Sequence, residues 1–145
     1  MSRNHSRPLS PHLTHWKWGA NMLVSILHRI TGVGLAIVGG IIFAGWLLAA
    51  ASGEASYAWF LDLLTVESGA INIVGAIFGI GLTWAFFTHL FNGMRHFVLD
   101  TGAGYELRTN RFWSIAVVAG AILATIALWA WLCWPFIAAL TGGDS

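Results

Sequence analysis

Charge and cysteine are what this 145-residue sequence has least of. Charged residues make up 9% of it, against about 25% in soluble globular domains, so the chain lies outside that class. Its single cysteine, Cys133, excludes an internal disulfide. It also excludes an iron–sulfur cluster held by this chain alone, because such a cluster needs a set of thiolates. No Cys-x-x-Cys-His occurs, so no haem is tethered through that thioether motif. Gly32 and Gly34 form a Gly-x-Gly inside an apolar stretch, where it marks helix packing and not a dinucleotide loop. A net charge of +1 gives no basis for nucleic-acid binding. The first thirty positions lack the short apolar core and small-residue cleavage site of a secretory signal. Internal repeats and low-complexity tracts are absent as well.

What is abundant is apolar: 57% of residues are hydrophobic, with nine Trp and 17 Gly. Three long apolar runs stand out, at about 22–51, 69–99 and 112–140, each exceeding the ~20 residues that cross a bilayer. The expected fold is an all-α integral membrane protein with three transmembrane helices in a single membrane-anchor domain over 1–145. Gly39–Gly40, Gly75-x-x-x-Gly79 and Gly120 are candidate points of close helix approach.

Basic residues set the expected orientation. Arg3, Arg7 and Lys17 precede the first run, and Arg108 and Arg111 separate the second from the third. The first connection holds Glu54, Asp62 and Glu67 with no Lys or Arg, and the C-terminal tail carries only Asp144. The N-terminus and the second connection are therefore expected on the cytoplasmic side, the first connection and the C-terminus on the other. Trp16, Lys17 and Trp18 suit an N-terminal interfacial segment. His5, His12 and His15 lie in its polar, wet part and read as solvated side chains, not metal ligands.

Two polar clusters break the apolar pattern. In HLFNGMRHFVLD, residues 89–100, helical spacing puts His89, Asn92, Gly93, His96 and Asp100 on one stripe, with Arg95 off it. His89 lies ~15 Å from the end of the run at Leu99, and His96 only ~5 Å. Ionisable side chains at that depth are costly and usually have a task. An imidazole there either bonds a neighbouring helix or ligates a metal such as a haem iron. Ala85 and Gly93, one turn to either side of His89, leave room for a flat ring system and equally for plain helix packing. His96 is not a second axial ligand to the same iron, since two positions on one side of one helix cannot reach both faces of a porphyrin. In SILHRITG, residues 25–32, Ser25, His28, Arg29 and Gly32 share a face, with Arg29 ~10 Å into the run. Arginine there fits an anionic or carbonyl ligand, such as a haem propionate or a quinone carbonyl that gains negative charge on reduction.

These residues carry a family resemblance. RPLSPHLTHWKWGANMLVSILHRITG resembles the N-terminal signature of the cytochrome b membrane anchor of succinate dehydrogenase, respiratory complex II: Arg-Pro, Ser-Pro-His, then Ser-Ile-x-His-Arg-x-Thr-Gly. HLFNGMRHFVLDTG resembles the second signature, His-x-x-x-Gly-x-Arg-His-x-x-x-Asp. With three runs in order, the likeness covers essentially the whole chain. Trp16, His15, Thr88 and Leu99 depart from the usual residues without touching Ser25, His28, Arg29 or His89.

The resemblance implies His89 as an axial ligand of haem b, with the other ligand from a second, smaller anchor subunit. It implies His28, Arg29, Arg95 and His96 in the vicinity of the haem propionates, and Ser25 and Arg29 at the ubiquinone site. Asp100 and His12 match the signatures without an assigned chemistry. FAD and iron–sulfur clusters would sit in partner subunits only, a flavoprotein and an iron–sulfur protein, and this chain would itself carry no dehydrogenase chemistry. Alternatives are a haem-free structural anchor, or a self-contained b-type cytochrome using His28 and His89. The absence of a transit peptide points to a bacterial inner membrane, the mitochondrial inner membrane being the alternative.

Overall fold

In the computed structural model, residues 17–67 and 69–141 are described. Arg3, Arg7, His5, His12, His15, Trp16, most of the expected interfacial segment and Asp144 lie outside them. Among the described residues the fold is helical, with an isolated bridge between Thr65 and Ile71 and no strand. Helix α1 covers Ala20–Ala51, α2 Glu54–Asp62, α3 Ile73–Asp100 and α4 Leu107–Thr141. Three of these, α1, α3 and the Leu107–Pro135 part of α4, are long and apolar enough to cross a membrane.

The ends of the helices have local causes. Gly53 takes φ 103°, a left-handed value that suits glycine, and this separates α1 from α2. Gly69 does the same at φ 77° in the turn before α3. That turn delays α3 to Ile73, where Asn72 caps it: its Oδ1 accepts from Gly75 N at 2.8 Å, and its Nδ2 donates to Leu63 O at 3.0 Å. Helix α4 starts at Leu107, before the apolar run, so its first two turns carry Arg108 and Arg111. Pro135 lies inside α4, as membrane helices tolerate.

The three long helices form an up-down-up bundle. Helix α3 runs antiparallel to both neighbours: Gly39 faces Leu82 and Gly32 faces His89 on the α1 side, while Gly79 faces Trp129 and Gly120 faces Phe91 on the α4 side. A Cβ on Gly79 would come within 2.8 Å of the Trp129 ring. Gly75 is buried too, but beneath the Leu64 carbonyl of the preceding loop and not against a helix; Gly40 faces open space. Part of the glycine pattern thus serves helix approach and part serves the loop.

The buried positions are small and as often polar as apolar: Val24, Ala49, Leu99, Val117 and Ala121 beside Thr31, Thr88, Asn92, Ser114 and Thr125. Lipid tails offer large side chains as good a solvent as a core does, so packing selects small residues instead. Three of the hydroxyls bond back into their own helix, Thr31 to Leu27 O, Thr125 to Ala121 O and Ser114 to Asn110 O, at 2.7–2.8 Å. The Oγ of Ser114 also lies 2.8 Å from the Asn21 side-chain amide, tying α4 to α1.

One turn of α1, Leu35–Gly39, is π-helical. Before it, α1 packs on α3 and α4; after it, the Gly40–Ala51 half packs on α2 and on neither of the other long helices.

Candidate functional site

The depth of α1 and α3 brings three histidines together. The His28 and His89 rings stack with centroids 3.9 Å apart and planes 5° from parallel. His96, about two turns further along α3 and exposed, places its ring 5.4 Å from His28 at a 50° tilt. Gly32 makes this contact possible: a Cβ there would lie 2.8 Å from His89 Cε1 and 3.2 Å from Nδ1.

The orientation of His89 is fixed from α1. Its Nδ1 lies 3.1 Å from the His28 backbone carbonyl and 3.5 Å from Thr31 Oγ1. A carbonyl oxygen only accepts, so Nδ1 carries the proton and donates it. The lone pair then belongs to Nε2, for which no partner occurs among the described residues. The His28 Nδ1 is buried, and it too has no partner there. Gly93, one turn from His89, meets nothing within 4 Å, so the helix surface beside the ring is open.

Ser25 and Arg29 form a second unit on the same end of α1. Arg29 is exposed; its Nη2 donates to Ser25 Oγ at 3.2 Å and its Nε to Ser25 O at 3.4 Å. No carboxylate pairs with it among the described residues. Its guanidinium is therefore held by its own helix with donors to spare.

Arg95 does not join the histidines. It turns towards α4, donating to Asn92 Oδ1 at 3.2 Å and, through Nη2, to Asn110 Oδ1. Its Nε is buried without a partner, as are Thr88 Oγ1 and Asn92 Nδ2. Sequence reading found the histidines, Ser25 and Arg29, but gave no role to Thr31, Asn92 or Asn110. Thr31 had a signal, since it follows His28 at helical spacing within the same motif. Asn110 had none, because its partner lies across a hairpin. Asp100 is exposed at the end of α3.

Comparison with known proteins agrees with this layout. Residues 3–128 match the family described as succinate dehydrogenase/fumarate reductase transmembrane subunit. The chain is 32% identical over 123 residues to the succinate dehydrogenase cytochrome b556 subunit of Rickettsia felis, covering 85% of this chain and 90% of the relative. It is 31% identical over 121 residues to the cytochrome b556 subunit of Paracoccus denitrificans, covering 83% and 88%. The mitochondrial cytochrome b560 subunit of Mus musculus is 36% identical over 121 residues, covering 83% and 68%. With residues 25–32 of the first signature on α1 and the second signature on α3 of a three-span bundle, the chain belongs to the family of cytochrome b membrane anchors of succinate dehydrogenase, an oxidoreductase complex.

Proposed function

We propose that this chain binds haem b through His89 Nε2, and that it anchors a flavoprotein and an iron–sulfur subunit while forming part of a ubiquinone-reduction site. The observation that carries the haem reading is the bond from His89 Nδ1 to the His28 carbonyl at 3.1 Å. That bond selects the tautomer with its lone pair on Nε2, the arrangement that axial histidines need. The glycine at position 32 admits the ring against α1, and the open surface at Gly93 leaves space beside it. When bound, the haem supplies one-electron redox chemistry within the bilayer.

The chain's own residues have separate tasks in this reading. The His28 carbonyl and Thr31 hold the imidazole at a fixed angle. His28 and His96, whose rings lie close together beside His89, would face the propionates. Arg29, with Ser25 behind it, offers donors to a quinone carbonyl and stabilises the negative charge that develops there on reduction, in a site that screens charge poorly. The other ligand would come from a second, smaller anchor subunit. The stacking of His28 on His89 fits that division, since two rings lying face to face do not converge on one bound group from opposite sides. The orientation has the N-terminus and the α3–α4 connection cytoplasmic, in a bacterial inner membrane.

The test is a reduced-minus-oxidised spectrum of the purified complex. A b-type band lost in His89→Ala and kept in His96→Ala is the expected result. A full band in an assembled His89→Ala complex overturns the assignment.

A further inference from the structure

Arg95 is the cation this reading leaves without a task. It sits five residues before the end of α3, ~7 Å in, with neutral amides as its hydrogen-bond partners and a buried, unpartnered Nε. No carboxylate pairs with it among the described residues. A cation at that depth calls for an anion. Beside it lies a groove of about 430 Å³ between α3 and α4, walled by Met94, Val98, Trp113, Ala116 and Gly120. Its walls are apolar apart from Arg95 and Asn110.

The dimensions and placement of the groove are informative. From Asn110 to Gly120 it follows α4 for ~15 Å, half of the ~30 Å hydrocarbon thickness and so the depth of one leaflet. One end is at the hairpin, near Gly104, just before Arg108 and Arg111 in the first turns of α4. Charge at one end and a leaflet-long apolar trough below it describe an amphiphile with an anionic head.

We propose that this groove holds one acyl chain of an anionic phospholipid, whose phosphate lies at the Arg95 guanidinium. Arg95 lines the groove, and Asn92 and Asn110 each take one Nη–H, which leaves the remaining Nη–H donors for a phosphate. The basic hairpin favours the same headgroup, as basic residues do at an anionic leaflet. The proposal uses neither His89 nor the quinone residues and stands apart from the haem reading.

The test uses the intact complex in vesicles of mixed phosphatidylglycerol and phosphatidylcholine, each in turn carrying a photoreactive acyl chain. Labelling of Met94, Val98 and Trp113 by the phosphatidylglycerol probe, about tenfold over the phosphatidylcholine probe, is expected for a charge-assisted contact. Arg95→Gln should abolish that preference while the chain is still labelled. Ala116→Phe should fill the trough and remove the labelling. Labelling spread evenly over lipid-facing positions such as Leu123 and Ile126 overturns the proposal, as does equal labelling by both probes. So does protection of the groove by a partner subunit, or recovery of a quinone from it. Because the wild-type complex alone yields the labelling pattern and the headgroup preference, a variant that fails to assemble leaves the proposal testable.

Discussion

The His28 ring lies flat on the His89 ring, 3.9 Å away and 5° from parallel. One residue thus reaches the other twice, through its ring and through its backbone carbonyl. Whatever moves α1 relative to α3 at this level moves the His89 imidazole, and several expected outcomes follow from that coupling.

Gly32→Ala places a methyl within 2.8 Å of His89 Cε1. The ring or the helix must yield, at a cost of roughly 1–3 kcal/mol. The complex should unfold at lower temperature and show a reduced or shifted b-type band. An unchanged melting curve and spectrum would show that α1 and α3 pack less closely than described.

Arg29→Ala should lower succinate–quinone reductase turnover on the order of 10²-fold, the usual loss when a donor to developing charge is removed. Arg29→Lys should recover only part of it, because a point charge lacks the fork. Steady-state assays on complexes matched for assembly decide this; full activity and quinone affinity in Arg29→Ala would remove Arg29 from the site.

Thr88→Val should be neutral or stabilising. The hydroxyl is fully buried with no partner, and an unsatisfied buried group costs about 1–3 kcal/mol. Valine keeps the shape and deletes the polar atom. A clear fall in melting temperature would mean that the hydroxyl serves a bound water.

Gly79→Ala and Trp129→Phe should compensate one another. The alanine methyl would press on the Trp129 ring at 2.8 Å, and the same indole donates to Thr83 Oγ1 at 3.4 Å. Each single change should destabilise by roughly 1–3 kcal/mol, and the double variant by less than the sum. Strict additivity would show that the two positions do not touch.

How much of this was legible beforehand varies with the physics involved. Length and apolarity announce the three spans, because a bilayer imposes both. His28, Arg29 and His89 stand out since polar groups at that depth are costly, and motif spacing ties them to chemistry. Arg95 was expected near the propionates through its place in the signature. Its bonds to Asn92 and Asn110 were not legible, because Asn110 sits across the hairpin where helical periodicity has no reach. Helix α2 is too short and too weakly patterned to be read from the sequence, and the start of α3 depends on two carbonyls that only the folded loop brings to Asn72.

The π-helical turn at Leu35–Gly39 acts as a phase shift. Past it, each side chain points about one position, roughly 100°, away from where an unbroken helix would aim it. A single span can therefore present its histidine end to one set of neighbours and its Trp46 end to another. Removing one residue there would swing the whole Gly40–Ala51 half around like a key in a lock, while Ser25, His28 and Arg29 kept their bearings.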